Sequence, residues 1–222
     1  MARKKDVPAT VSGAGLIAGF WAQLEKERQE RGISDEDFHA AVTEESPMIE
    51  RFADMIAESV KPRLLAPVGT STIPATTEKF VARDKFVLGT GSDMAVKISF
   101  LGDNVKSWFL GKVEGPFPRS TLLVSKLAQS SLDEPIIQEL GGEEKAEVTL
   151  TEIRQLMERQ ANGEAGTLLT NGFANIFYVR DISGVLRAVC VSWDGDGWRV
   201  GANSTSFPYG WGGGRRVFSR NS

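Results

Sequence analysis

The feature that most constrains the fold is a set of three apolar runs near the C-terminal end of the sequence. These runs are NIFYVRD (175–181), VLRAVCVSW (185–193) and WRVGANS (198–204). The turns between them, 182–184 and 194–197, read ISG and DGDG and supply the glycines that tight hairpin turns require. The pattern predicts a three-stranded antiparallel meander. The middle run is apolar almost throughout, which is typical of a central strand covered on both faces.

The part of the chain before this meander predicts a mixture of strands and helices. Three segments have the composition of β-strands: 96–102, 106–112 and 121–127. One helix is predicted to begin near Ser131 or Asp133, and a second has the capping-box residues Thr149 and Glu152 at its start. Together these elements predict the α+β class for residues 79–222.

Apolar residues at helical spacing dominate residues 1–62. Ser34 with Asp37 resembles a capping box, and Ser46 followed by Pro47 is a second helix-start signal. The sequence therefore predicts three short amphipathic helices, which form either a small bundle or a partner-binding surface.

Residues 63–78 differ in composition from both neighbouring segments. They contain Pro67 and Pro74 together with many threonine and serine residues. Proline interrupts a helix because it lacks a backbone N–H, so this stretch is predicted to be a linker. The expected organisation is a helical segment (1–62), a linker (63–78) and an α+β domain (79–222).

The sequence has one cysteine, Cys190, and one histidine, His39, which narrows the chemistry it can perform. An intramolecular disulfide, a cysteine-based zinc or iron–sulfur cluster and a multi-histidine metal site are all excluded. Gly13, Gly15 and Gly19 imitate a dinucleotide-binding loop but lack the strand that must precede it. We therefore predict no metal, no cofactor and no catalytic residue. A carboxylate-based active site stays open, and an enzyme is the less favoured class.

No uncharged apolar run is long enough to span a bilayer, so no membrane association is predicted. Residues 7–22 follow three basic residues, as the core of a secretory leader does. Glycines interrupt this stretch, however, and Phe20 and Trp21 stand where a cleavage site needs small residues. The sequence therefore predicts residence in the cytoplasm.

The clearest candidate for a binding surface is the basic, aromatic C-terminal part of the chain. Residues 180–222 carry six arginines and three aspartates, interleaved with aromatic residues. The candidate partner-binding residues are Arg180, Trp198, Tyr209, Trp211, Arg215 and Arg216. Arginine and tryptophan are typical anchors of protein interfaces, and aromatic faces beside cations also bind single-stranded nucleic acid.

Three interpretations of this surface remain open: ordinary core and surface residues, a protein interface, or a nucleic-acid interface. The leading functional hypothesis is a non-catalytic interaction module that binds a protein partner or a second copy of itself. The alternative is single-stranded nucleic-acid binding through the basic, aromatic C-terminal face.

Several segments resemble an uncharacterised protein family of small-genome bacteria. They are DEDFHAAVTEESPMIERFADMIAES (35–59), GTLLTNGFANIFYVRD (166–181), GVLRAVCVSW (184–193), DGWRV (196–200) and RVFSRNS (216–222). The resemblance implies a bacterial protein of two parts. It implies no activity, ligand or catalytic residue.

Overall fold

The computed structural model describes residues 13–41, 50–51, 53–56 and 63–220. The chain divides between residues 62 and 63 into two compact units. The smaller unit is helical where it is described, and the larger unit contains every described strand.

The smaller unit contains two described helices, α1 (Gly13–Glu30) and α2 (Asp35–Ala41). The predicted cap between them is confirmed, because the Asp37 backbone N–H donates to Ser34 Oγ over 3.1 Å. The third predicted helix, which should follow Ser46 and Pro47, lies largely outside the described residues. Residues 50, 51 and 53–56 are helical.

The larger unit combines nine strands with five short helices. The strands are β1 (Leu65–Ile73), β2 (Phe80–Val81), β3 (Ile98–Leu101), β4 (Val113–Glu114), β5 (Ser120–Leu127), β6 (Asn175–Arg180), β7 (Leu186–Trp193), β8 (Trp198–Ser204) and β9 (Arg216–Arg220). The helices are α3 (Ala82–Lys85), α4 (Asp103–Trp108), α5 (Asp133–Glu139), α6 (Glu143–Ala146) and α7 (Leu150–Glu158). The predicted α+β class is confirmed.

Seven of these strands form one mixed sheet in the order β1-β5-β9-β6-β7-β8-β3. The pairs β6–β7 and β7–β8 are antiparallel, and consecutive in sequence. These three strands are not the whole sheet. Strand β9 lies between β5 and β6, and it is antiparallel to β5 and parallel to β6. Strands β2 and β4 form a separate antiparallel pair.

A hydrophobic core lies on each face of the seven-stranded sheet. In β6, Phe177 and Val179 join the core that contains α7, whereas Ile176 and Tyr178 join the core that contains α5. This alternation follows from the two-residue side-chain period of a strand. All four side chains are buried, as expected of a strand covered on both faces.

The prediction that residues 63–78 form a linker is wrong. Residues 65–73 form β1, an edge strand paired antiparallel with β5 from Leu65–Leu127 to Ile73–Ser120. Edge strands tolerate proline because one side of the backbone makes no ladder hydrogen bonds. The register shifts between Pro67 and Gly69, so proline lies beside a bulge and the strand continues past it.

The prediction of a strand over residues 106–112 is also wrong. This segment begins inside α4, which starts at Asp103 after Gly102 as its N-cap. A short apolar run fits a strand or a buried helix equally well, and here the helix buries Val105 and is followed by the buried Phe109. The aspartate in the first turn also suits the helix dipole.

Candidate functional site

Trp198 belongs to the core, which corrects its prediction as a partner-binding residue. Its side chain is 0% exposed, and its Nε1–H donates to the carbonyl oxygen of Gln160 over 3.0 Å. Its ring packs edge-on against Trp193 with the ring centroids 5.4 Å apart. Because strand side chains alternate, Trp198 shares the core-facing side of β8 with Val200 and Ala202.

Arg180 and Arg216 are engaged within the larger unit, so neither presents the open cation that the sequence predicted. Arg180 donates to Glu147 over 3.0 Å and to Glu143 over 2.9 Å. The Glu143 hydrogen bond is the main cause that raises the pKa of Arg180, and Glu147 adds to it. Arg216 donates to the two main-chain carbonyl oxygens of residues 166–167. Both side chains hold loops or helices against the sheet.

The other candidate residues lie on the connection from β8 to β9. We call residues 205–215 the aromatic crossover, since they return the chain across the sheet and include three aromatic side chains. Its backbone is tied down at Trp211, whose N–H donates to Ser131 O over 2.7 Å and whose carbonyl accepts from Ser131 N over 3.0 Å. This pair of hydrogen bonds fixes the middle of the crossover beside α5.

A buried carboxylate anchors the Trp211 side chain as well. One oxygen of Asp133, Oδ1, accepts from Trp211 Nε1 over 2.7 Å and from the Tyr178 hydroxyl over 2.9 Å. Burial raises the pKa of Asp133, although both hydrogen bonds act to lower it. Burial also raises the pKa of Tyr178, and the neighbouring carboxylate adds to the effect. The network joins α5, β6 and the crossover at one point.

Glycine lets the crossover approach its neighbours closely. A Cβ atom at Gly210 would lie 2.7 Å from the carbonyl oxygen of Ser131, which is too close for any side chain. Gly214 has φ +90°, and a Cβ there would lie 2.9 Å from the Phe173 ring. The aromatic crossover therefore needs glycine at these positions in order to pack closely against Ser131 and Phe173.

Apolar side chains are exposed along the crossover and beside it. Tyr209 is 75% exposed and contacts Phe207, with the ring centroids 5.3 Å apart. Leu132 and Phe173, which flank the two ends of the anchored part, are also exposed. We call these four residues the aromatic rim: Leu132, Phe173, Phe207 and Tyr209.

Arg215 lies at the end of the aromatic crossover nearest β9. Its guanidinium carbon is 5.9 Å from the centroid of Phe173, a cation–π distance. Its Nε atom is buried and has no hydrogen-bond partner among the described residues. Of the six predicted residues, Tyr209, Trp211 and Arg215 thus come together on one loop, with Tyr209 as the exposed member.

Sequence reasoning missed Asp133, Tyr178 and Phe173 as parts of this site. Asp133 was interpreted only as a helix-start carboxylate, and that position in α5 is correct. Nothing local in the sequence indicates that Tyr178 and Trp211 share one of its oxygen atoms, because the three residues lie on three different elements. Cys190 lies in β7, and burial raises the pKa of its thiol, as expected of an unreactive cysteine.

Replacing Asp133 with asparagine tests this network through pH. The variant keeps an acceptor oxygen and cannot ionise. Because burial raises the pKa of Asp133 in the folded state, the proton binds more tightly there than in the unfolded chain. The wild type should therefore exceed Asp133→Asn in free energy of unfolding by the largest amount below pH 3.8, the ordinary pKa of aspartate. This difference should fall as the pH rises above that pKa. Urea denaturation at a series of pH values measures this difference.

Asp133→Leu is the matched control, because leucine cannot ionise either but also removes the acceptor. The free energy of unfolding of Asp133→Leu should show the same pH dependence as that of Asp133→Asn. It should be lower by about 1–3 kcal/mol, the usual cost of a buried donor without a partner. A wild-type advantage over Asp133→Asn that stays constant or grows with pH would contradict the arrangement.

The described residues include no group of three or more histidine, cysteine, aspartate or glutamate side chains placed to hold a metal ion. None of the described helices is both long enough and apolar enough to cross a membrane. Comparisons with protein-family profiles, with curated proteins and with solved structures found no match for this chain.

Proposed function

We propose that this protein is a non-catalytic interaction module that binds a partner protein through the aromatic rim. The observation that carries the proposal is the exposure of Tyr209, 75%, on a loop whose backbone and neighbouring Trp211 are fixed. Large exposed apolar side chains that lie close together are typical of interaction surfaces. Tyrosine, tryptophan and arginine are the residues that most often dominate binding energy.

The anchoring of the aromatic crossover supports the same proposal. A flexible loop loses conformational entropy when it binds, at about 0.5–1.5 kcal/mol for each side chain that becomes ordered. Here the hydrogen bonds from Trp211 to Asp133 and to Ser131 order the loop before any partner arrives. A rigid scaffold that presents Phe207 and Tyr209 therefore binds at a lower entropic cost than a free segment would.

The alternative proposal is binding of single-stranded nucleic acid by the same loop. The stacking of Arg215 over Phe173 beside the exposed Tyr209 favours it, because bases stack on aromatic and guanidinium planes. Its electrostatic support is weak, since Arg180 and Arg216 are bound by glutamates and carbonyl oxygens. The protein-binding proposal needs no open cation and is the one we favour.

Tyr209→Ala should abolish retention of the partner without loss of fold. The experiment compares wild-type, Tyr209→Ala and Ile182→Ala proteins as immobilised baits in native lysate and then measures the affinity for the purified partner. Truncation of a hot-spot tyrosine costs about 2 kcal/mol or more, so the Kd should rise about 30-fold. Ile182 is 57% exposed on the turn between β6 and β7, outside the rim, and its truncation should leave the Kd unchanged.

Self-association is measured on the same three proteins by sedimentation velocity, since a second copy of the chain can be the partner. A partner held equally by all three baits would contradict the proposal, as would a strict monomer that retains no partner. Binding of a labelled single-stranded oligonucleotide at about 50 mM salt, lost in Tyr209→Ala, would favour the nucleic-acid alternative.

A further inference from the structure

A concave surface separate from the aromatic rim lies on the larger unit, at the end of β1 and beside α7. It is a cavity of about 570 Å³, within the size range of small-molecule sites. We call it the basic cleft, and the lining residues that matter here are Thr76, Lys79, Lys85, Arg154, Gln155 and Arg159. None of them belongs to the aromatic rim.

The cleft concentrates positive charge in a chain whose net charge is −3. Its lining includes four cations, two lysines and two arginines, and two carboxylates, Glu78 and Glu158. Glu158 is bound to Arg154 Nε over 2.9 Å. Over residues 63–220, no carboxylate forms an ion pair with Lys79 or Lys85, whereas Arg159 donates to the carbonyl oxygen of Thr72 over 2.6 Å. The two unpaired lysines favour an anionic ligand.

Arg154 forms the floor of the cleft in a fixed orientation. Its side chain is almost fully buried, Nε donates to Glu158, and Nη1 donates to the carbonyl oxygen of Lys85. Nη2 makes no hydrogen bond to any described residue, which leaves one edge of the guanidinium fork for a ligand. Arginine recognises phosphate through such planar donors, and a lysine beside it acts as a mobile point charge.

Two polar groups in the cleft favour a ligand that has hydrogen-bonding groups in addition to its anionic group. Gln155 Oε1 is buried and has no hydrogen-bond partner in the part of the chain that the structure describes, while its Nε2 donates to the carbonyl oxygen of Pro74 over 3.4 Å. An acceptor without a partner is complemented by a ligand hydroxyl or amine. Thr76 Oγ1 accepts from the Phe117 backbone N–H over 3.0 Å, so its own hydroxyl hydrogen remains available to donate.

The helix that carries Arg154 and Gln155 is fixed before a ligand binds. At its N-terminus, Glu114 accepts from the backbone N–H groups of Leu150 and Thr151 over 3.0 and 2.8 Å. A helix end held in this way keeps the side chains one turn further along in place. Pre-organisation of this kind lowers the entropic cost of binding.

From this arrangement we propose that the basic cleft binds a phosphorylated small molecule that also carries hydroxyl groups. The phosphate lies between Arg154, Lys79 and Lys85, and a hydroxyl donates to Gln155 Oε1. The site is separate from the aromatic rim, so the inference does not depend on the proposed protein-binding function.

Isothermal titration calorimetry on the full chain at about 50 mM salt tests the proposal, since low salt preserves electrostatic contacts. The probes are ribose 5-phosphate, inorganic phosphate, ribose and malonate. Ribose 5-phosphate should bind more tightly than inorganic phosphate, and ribose should not bind. The double variant Lys79→Gln/Lys85→Gln should weaken ribose 5-phosphate binding by about tenfold or more, because it removes two charge-assisted contacts. Gln155→Leu should bring the affinity for ribose 5-phosphate down to that for inorganic phosphate.

Lys126→Gln is the matched control, because Lys126 is exposed on β5 and does not line the cleft. Its affinity for ribose 5-phosphate should equal that of the wild type. Absence of binding of both phosphates would overturn the proposal, as would equal losses in Lys126→Gln and the double variant. Tighter binding of malonate than of phosphate would also overturn it, since the ligand would then be a carboxylate.

Discussion

Trp198→Ala should lower the free energy of unfolding by about 3–5 kcal/mol, the usual cost of deleting a buried large aromatic side chain. The indole of Trp198 is fully buried and fills the core between β8 and the residues that follow α7. Its loss leaves a cavity, removes the edge-on contact with Trp193 and removes the indole hydrogen bond to the carbonyl oxygen of Gln160, which among the described residues then accepts only from the Gly163 backbone N–H. Guanidinium chloride denaturation followed by circular dichroism measures the change.

Tyr209→Ala is the control, because it removes an exposed aromatic side chain instead of a buried one. Substitutions at exposed sites usually change stability by within about 0.5 kcal/mol, and Tyr209 is 75% exposed. Trp198→Phe should fall between the two, because it keeps most of the volume but removes the hydrogen bond to Gln160. Equal stability of the Trp198→Ala and Tyr209→Ala proteins would contradict the burial of Trp198.

Glu152→Leu should lower the free energy of unfolding by about 3–5 kcal/mol, because it removes the buried carboxylate that pairs with the partly exposed Arg220 and two further hydrogen bonds. The Glu152 side chain is fully buried and accepts hydrogen bonds from Thr149, Ser120 and Arg220. The shortest of these, from Ser120 Oγ, is 2.7 Å, and that from Arg220 is 2.9 Å. The variant would therefore release α7 from both β5 and β9 and leave a guanidinium without its carboxylate.

Glu158→Gln is the matched control on the same helix. The Glu158 carboxylate is exposed, and glutamine keeps an oxygen acceptor for the buried Arg154 Nε, so the substitution should cost only about 1 kcal/mol. Chemical denaturation of both variants and of the wild type measures the two changes in the free energy of unfolding. A Glu152→Leu protein as stable as Glu158→Gln would show that the buried contacts add nothing to stability.

Local signals in the sequence were sufficient for the elements that depend on local chemistry. The capping box at α7 is confirmed, because Thr149 Oγ1 accepts from the Glu152 backbone N–H and the Glu152 carboxylate accepts from the Thr149 backbone N–H. The strands β6, β7 and β8 fall within the three apolar runs, and glycines with positive φ lie in both turns, at Gly184 and Gly195. Turn residues and the alternation of side chains along a strand depend only on a few neighbouring residues, so they can be predicted from the sequence without knowledge of the fold.

Elements that depend on distant partners could not be predicted in the same way. The Pro67 region was interpreted as a linker from its proline, threonine and serine content, and its pairing partner, Ser125 in β5, lies about 60 residues further along the chain, beyond the reach of a local pattern. The same reason hid the basic cleft, whose cations come from residues 79–85 and 154–159. Trp198 was misjudged because composition cannot show to which side of a strand an aromatic residue points.

The central position of β9 has a consequence for the order of events during synthesis. Strand β9 is the last described strand in sequence, yet it is the only link between the pair β1–β5 and the group β6–β7–β8–β3. On the ribosome, β5 and β6 emerge long before β9, and each presents an unpaired edge until it arrives. Unpaired edges pair readily with other chains, so a nascent chain stalled before Arg216 would expose two of them side by side.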